Sequence, residues 1–370
     1  MRVTFIGDIM LGRFVRAKFE QSPYEVITQQ VKSVFENTDY VIANLESPVT
    51  DEEESDSLKF AGKADLLPYF EWIDCFSLSN NHINDFGEKG MTDTIEALDH
   101  YGFGHNGLYT EEYQPYIIDD EKSRVAVITC TDMLNHEFDE ACRYHTLRAD
   151  SDQVNEYISQ YKDSHFVIVY AHVGHLFSRF PNPQVRDLLY SWIDAGASCV
   201  MTAHSHCMGG VFTYKGVTVF NSLGDFLMDG ASFRRRESGI VELEIESNRL
   251  KRWNVTPVIT TDALQVTFPD DKKKEKMTRS FQLALMKVGD LPQAKYKSFY
   301  SVQYKKELFS HSLSTLHFVY ATKGIMGFLR IMVIRIREVK KMISRIAHGR
   351  DNMRYDSDAV SSKLSNKDIQ

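Results

Sequence analysis

Cysteine is scarce and scattered in this 370-residue chain: Cys75, Cys130, Cys142, Cys199 and Cys207 are odd in number and include no C-x-x-C pair. That pattern excludes a disulfide framework and a thiolate zinc site, and a reducing compartment is expected. Positive charge is also in deficit, with 43 Lys and Arg against 51 Asp and Glu and a formal charge of -8. Neutralising a phosphate backbone needs a basic face, so nucleic acid is not an expected partner. No apolar run reaches the roughly 20 residues of a membrane-spanning helix. No signal-peptide h-region precedes the strand-like opening Met1-Arg2-Val3-Thr4-Phe5-Ile6. These absences lead to the expectation of a cytoplasmic protein, at most peripheral on the inner face of the membrane. What is present is a hydrophobic fraction of 43% beside 25% charged residues, the balance of a globular chain with a substantial core.

Short β-rich runs alternate with helix-like stretches as far as about residue 260, the pattern of a layered α/β architecture. Strands are expected near residues 3–6, 40–43, 75–79, 125–130, 166–171, 199–202, 217–221 and 240–245 from their β-branched and aromatic content. Helices are expected around 24–35, 91–100, 150–161 and 183–195, the last closed by Gly196. A first domain over 1–258 would be followed by a charge-rich connection over 259–304, which contains Asp270-Asp271-Lys272-Lys273-Lys274-Glu275-Lys276. Residues 305–349 are expected to be a helical segment, since Ile325, Phe328, Leu329, Met332, Ile336, Val339, Ile343 and Ile346 recur at helical spacing opposite Arg330, Arg337, Lys341 and Arg345. A basic amphipathic stretch over 325–346 suits a membrane surface, and equally suits a protein partner or a second copy. Residues 350–370 read as a disordered tail, and the acidic run 51–56 as a solvated loop.

Six motifs stand at or just after the expected strand ends: Gly7-Asp8-Ile9-Met10-Leu11-Gly12-Arg13, Asn44-Leu45-Glu46, Asn80-Asn81-His82, His172-Val173-Gly174-His175, His204-Ser205-His206 and Asn221-Ser222-Leu223-Gly224-Asp225. Sites in α/β sheets form beyond the carboxyl ends of strands, where loops from distant parts of the chain converge. Imidazole and carboxylate together select Zn, Mn or Fe over Mg or Ca. In a two-metal scheme Glu46 would bridge the ions, and His82 would deliver a proton to the leaving oxygen. Taken singly, each motif has a structural explanation. Asp8 could cap a helix, Asn80-Asn81 could be turn chemistry, and a His after a strand is more often a hydrogen-bonded structural residue. Their joint occurrence at strand ends is what argues for a site.

The stretches GDIMLGR (7–13), ANLESPV (43–49), SLSNNHINDFGEKGM (77–91), IDAGASCVMTAHSH (193–206) and VFNSLGDF (219–226) resemble, in order, the capsule synthesis protein CapA family. That family is also described as the poly-gamma-glutamate synthesis type, a branch of the calcineurin-like metallophosphoesterase superfamily. The resemblance implies a four-layer α/β/β/α sandwich with a C-terminal helical extension. It implies a centre of two divalent transition-metal ions (Mn, Fe or Zn) with Asp8, Glu46, Asn81, His172, His204 and His206 as ligands, and His82 as the catalytic proton donor. It further implies a metal-dependent hydrolase of the phosphoesterase type working in capsule, poly-gamma-glutamate or exopolysaccharide synthesis, with an anionic polymer or phosphoester as substrate and capsule assembly proteins as partners. The alternative is a non-catalytic or weakly catalytic scaffold of a capsule assembly complex at the membrane surface.

Asn44, Asn221 and Asp225 fall in family motifs and are assigned to support of the ligands. Arg13 and His175 are assigned to the substrate, since arginine binds phosphate and carboxylate bidentately. Two departures stand out. The wider superfamily opens with Asp-x-His where this chain has Met10, so one ion is expected to be weak or absent. The family's frequent His-Trp-Gly is here His172-Val173-Gly174.

Overall fold

A computed structural model of the chain describes residues 1–53, 59–121, 123–229, 236–288, 291–314 and 320. The strand β1 (Arg2–Ile9) is buried along nearly its whole length, as the centre of a sheet covered on both faces requires. It pairs in parallel with β2 (Tyr40–Leu45), which pairs with β3 (Cys75–Ser77) and then β4 (Gly104–Asn106). On its other side β1 runs antiparallel to β14 (Glu237–Glu246), followed by β15 (Arg249–Thr260) and β16 (Val266–Thr267). The short β13 (Asp225–Leu227) pairs with the far end of β1.

A second sheet follows the order β11 (Val211–Tyr214), β12 (Val217–Phe220), β10 (Cys199–Ala203), β9 (Phe166–His172), β7 (Arg124–Thr131) and β6 (Tyr116–Asp119). Its four central strands are parallel. A two-stranded ribbon of β5 (Leu108–Tyr109) and β8 (His145–Thr146) lies beside it.

Three apolar clusters define the layers. Val3 and Phe5 of the first sheet meet Val127, Ile168, Met201 and Phe220 of the second in the core between the sheets. The outer face of the first sheet buries Val15 and Phe19 of α1 (Arg13–Gln21), Val31 and Phe35 of α2 (Gln29–Phe35), and Met91 and Leu98 of α3 (Gly87–Tyr101). The outer face of the second buries Val154 and Ile158 of α4 (Asp152–Tyr161), and Leu189 and Trp192 of α5 (Pro183–Ala195). The result is the expected α/β/β/α order. The start of α5 follows from its sequence. Asn182 caps Val185 N–H at 2.8 Å, Pro183 occupies the first turn where no donor is lost, and Gly196 ends the helix at φ 123°.

Residues 259–304, read from sequence as a charged connection, are built into the domain. Beyond the end of β15 and β16 comes α6 (Asp271–Val288), whose Met277 and Phe281 join the core between the sheets while Lys272, Lys274, Glu275 and Lys276 stay exposed. The charge run is the solvated face of an amphipathic helix, a pattern that local composition alone does not separate from a loop. A further helix over 293–314 buries Tyr296, Tyr300, Glu307 and His311. The amphipathic stretch 325–346 and the tail 350–370 lie outside the described residues, as does the second half of the acidic run 51–56. Among the described residues, no helix is long and apolar enough to cross a membrane.

Candidate metal centre

The two sheets face each other with the carboxyl ends of their parallel strands on the same side, and the motif residues meet there. Along β1 the side chains alternate, Val3 and Phe5 facing the second sheet and Ile6 facing the helices. An extra residue between Phe5 and Asp8, relative to β2, resets that alternation and turns Asp8 inward. The register then places Asn44 of β2 on one side of Asp8 and Asp225 of β13 on the other. The approach is close: a Cβ on Gly7 would lie 1.8 Å from the Gly224 carbonyl oxygen, so only glycine lets the two segments run side by side. From the second sheet, His172 ends β9 and pairs in register with Ala203 at the end of β10, which delivers His204 and His206. Both histidines have positive φ, 87° and 53°, so the chain folds back on itself there to point two rings into one space.

One half of the centre gathers Asn81, His172, His204 and Glu46. His172 Nε2 stands 2.7 Å from Asn81 Oδ1, 3.0 Å from His204 Nδ1 and 3.5 Å from Glu46 Oε1. The other half gathers Asp8, Glu46 and His206, with His206 3.8 Å from Asp8 Oδ2 and from Glu46 Oε1. Each set of His and carboxylate groups converges closely enough to hold a metal ion, and Glu46 belongs to both. Ligand atoms about 2.0–2.1 Å from one ion lie roughly 3 Å apart, so the spacing of the Asn81 half fits directly.

The electrostatics fit as well. Burial, reinforced by the neighbouring imidazoles, holds His172 and His204 well below the ordinary histidine range, which keeps their lone pairs available. Burial and the nearby Asp225 carboxylate push Asp8 up to about 8, against hydrogen bonds from Asn44 and the His204 backbone that favour its charge. Carboxylates and imidazoles packed together without a counter-charge are poorly solvated, and a cation between them removes that cost.

The remaining motif residues divide. Asn44 Nδ2 donates to Asp8 Oδ1 at 2.8 Å and lies 3.2 Å from His172 Nδ1. Asp225 Oδ1 lies 2.7 Å from His206 Nδ1, an orientation that leaves Nε2 toward Glu46. Met10 is turned away. It sits in the cluster under the helices, and its sulfur accepts the Gly12 N–H at 3.0 Å as the chain enters α1. Asn221 is engaged elsewhere, its amide donating to the Arg179 carbonyl at 3.0 Å. Arg13 is clamped by Asp229, and its guanidinium lies 4.7 Å over the Phe60 ring. His175 Nδ1 lies 2.9 Å from the Tyr300 hydroxyl, so the helix 293–314 reaches the rim of the centre.

Residues outside the six motifs surround His82. His82 Nδ1 pairs with Asp85 Oδ2 at 2.8 Å, and the same oxygen accepts the Phe60 N–H at 2.9 Å. Phe60 stacks on the His82 ring at 3.9 Å. Asn135, four residues beyond β7, places its Nδ2 3.2 Å from His82 Nδ1 and accepts from Asn81. Its position just past a strand of the second sheet is the signal that finds it: the rule applied to six strand ends applies equally to β7.

Donors converge from both sheets of an α/β/β/α sandwich, grouped so that they could hold a metal ion. Residues 2–230 match the family described as Bacterial capsule synthesis protein PGA_cap, and the chain belongs to that family. It is 29% identical over 301 residues to the PGA biosynthesis protein CapA of Bacillus subtilis (strain 168), covering 75% of this chain and 76% of the relative. It is 27% identical over 278 residues to the capsule biosynthesis protein CapA of Bacillus anthracis, covering 70% and 67%. Among solved structures, the sulfate thiohydrolase SoxB of Thermus thermophilus in complex with glycerol aligns over 74% of this chain and 46% of its own, at 10% identity and a TM-score of 0.42.

Proposed function

We propose that this chain is a metal-dependent hydrolase of phosphoesterase type, acting on a phosphoester or related bond in the synthesis of a capsule or of poly-gamma-glutamate. The observation that carries the proposal is the pair of donor groups sharing Glu46, with His82 beside them. Asp8, Glu46, Asn81, His172, His204 and His206 are the proposed ligands, and two divalent ions of Mn, Fe or Zn type suit their mixture of imidazole, amide and carboxylate. Such ions would supply Lewis acidity toward a phosphoryl oxygen and toward a water nucleophile. The protein's own part is to hold the His172 and His204 imidazoles neutral, to fix Asp8 through Asn44 and the His204 N–H, and to carry a proton on His82. With Nδ1 committed to Asp85, Nε2 of His82 is the nitrogen that can deliver a proton to a leaving oxygen. An anionic polymer is the proposed substrate class, with His175 at the rim. Capsule assembly proteins and, through residues 325–346, a membrane surface are the proposed partners.

A second proposal, a scaffold with weak or no catalysis, is favoured by one observation: Met10 offers no donor to the Asp8 half. Elemental analysis of purified protein separates the two. The hydrolase predicts about two transition-metal ions per chain, with one lost in Asn81→Ala and the other in His206→Ala, and a phosphoesterase activity abolished by His82→Ala. Protein that stays folded, is loaded with Mn or Zn, and hydrolyses nothing across a broad phosphoester panel sinks the hydrolase and leaves the scaffold.

A further inference from the structure

An asparagine ligates a metal through its carbonyl oxygen only, and its amide can turn over at little cost unless something fixes it. At Asn81 the inward atom is Oδ1, 2.7 Å from His172 Nε2. The outward Nδ2 donates to Asn135 Oδ1 at 3.0 Å, and the Asn135 backbone N–H donates to the Asn81 carbonyl at the same distance. The other end of the Asn135 side chain, Nδ2, sits 3.2 Å and 3.4 Å from the two ring nitrogens of His82. One residue thus touches both Asn81 and His82, and it comes from the opposite sheet.

The loop carrying Asn135 is itself held. Thr131 Oγ1, with one proton to donate, lies 2.9 and 3.0 Å from the carbonyls of Met133 and His172. Asn84 Nδ2 lies 2.9 Å from the carbonyls of His136 and Glu137. Nothing in this stitching needs the Asn135 side chain. That side chain is spent on Asn81 and His82.

We infer that Asn135 is a positioning residue that locks the Asn81 amide with its oxygen toward the metal centre. The inference rests on the proposal that Asn81 is a ligand. Partners that orient ligands are worth about 10- to 100-fold in ion affinity, and Asn135→Ala should weaken one of two Mn2+ binding steps by that factor in calorimetry. Asn135→Asp keeps an acceptor facing Asn81 Nδ2 and should stay within roughly threefold of wild type. The decisive comparison is a double-mutant cycle with Asn81→Asp, which keeps a ligand oxygen but has two equivalent oxygens and no amide to orient: Asn135→Ala should cost clearly less in that background than in wild type. Melting in chelator checks that every variant folds, and Asn135→Ser, whose side chain is also too short to hold the Asn81 amide, takes the place of Asn135→Ala if that variant does not.

The inference is overturned if Asn135→Ala binds both ions as wild type does, if Asn135→Asp loses as much as Asn135→Ala, or if Asn135→Ala costs as much in the Asn81→Asp background as in wild type. Those results leave the two-ion proposal standing. Wild type that binds no Mn2+ or Zn2+ overturns the two-ion proposal and the inference together, so the two failures are told apart by wild type alone.

Discussion

The two halves of the centre are built differently. The half around His172 is supplied mainly by neutral donors, two imidazoles and an amide, with contacts of 2.7 and 3.0 Å, and its amide is backed by Asn135. The half around Asp8 is supplied by two carboxylates and His206 at wider spacing, and the group behind it is a third carboxylate, Asp225. Preorganisation differs accordingly. In the first half the rings are held neutral by burial and the atoms already stand near coordination distance. In the second, burial and Asp225 set Asp8 against its own charge, so that half depends more on a cation to be comfortable. The difference teaches that ligand count alone does not rank the halves, because the charge standing behind each one matters as much.

The largest effect should come from the residue that both halves share. Glu46→Gln keeps the shape and removes the charge, and it should weaken both ion-binding steps together, each by more than about 100-fold, given that even indirect supports are worth up to that factor. Loss of one step alone would show that Glu46 belongs to a single half. Asp225→Asn breaks the comparison on one side only. It should weaken the His206 half by about tenfold through a less well oriented ring and leave the His172 half unchanged, as read by calorimetry.

In the metal-free protein the same change should act in the opposite direction. Asp8 is raised from 3.8 to about 8, so the stability tied to it is complete below about pH 4 and is lost as pH rises through 8. Metal-free wild type should therefore have a lower urea midpoint at pH 8 than at pH 5. Asp225→Asn, by removing the charge that helps raise Asp8, should flatten that slope. A steeper slope in the variant would contradict the assignment.

How far this was legible from sequence depends on the kind of signal. The strands around Asp8, Asn44, His172 and Ala203 announce themselves by β-branched runs, and the polar residue after each marks the site end of the sheet. Pro183 and Gly196 bracket α5 where punctuation says they should. The helix at 271–288 was hidden because Lys272 to Lys276 dominate its first turns, while the apolar contacts of Met277 and Phe281 depend on sheet edges far away in sequence. The roles of Asn135 and Asp85 were hidden for a related reason, although the place of Asn135 just past β7 was legible. Each matters through a partner, Asn81 or His82, whose orientation only the folded chain defines. Arg13 shows the converse, a motif arginine that its bidentate chemistry suits to an anionic substrate and that in the fold pairs with Asp229.

The smallest expected effect on metal comes from the position where sequence comparison raised the most doubt. Restoring the superfamily's imidazole by Met10→His looks like a repair of the Asp8 half, since Asp8 and residue 10 would share a face if the strand continued. It does not continue: β1 ends at Ile9, and residue 10 lies fully buried under the helices with its sulfur on the Gly12 N–H. A histidine there would put a polar ring into an apolar cluster, at a cost of about 1–3 kcal/mol for an unsatisfied group, without reaching Glu46 or His206. Met10→His should therefore lower the thermal midpoint of the metal-free protein and leave ion stoichiometry and affinity as in wild type. Tighter binding in the His206 half would mean that the turn between Ile9 and Gly12 can swing residue 10 inward, and that this half is repairable by ligand supply after all.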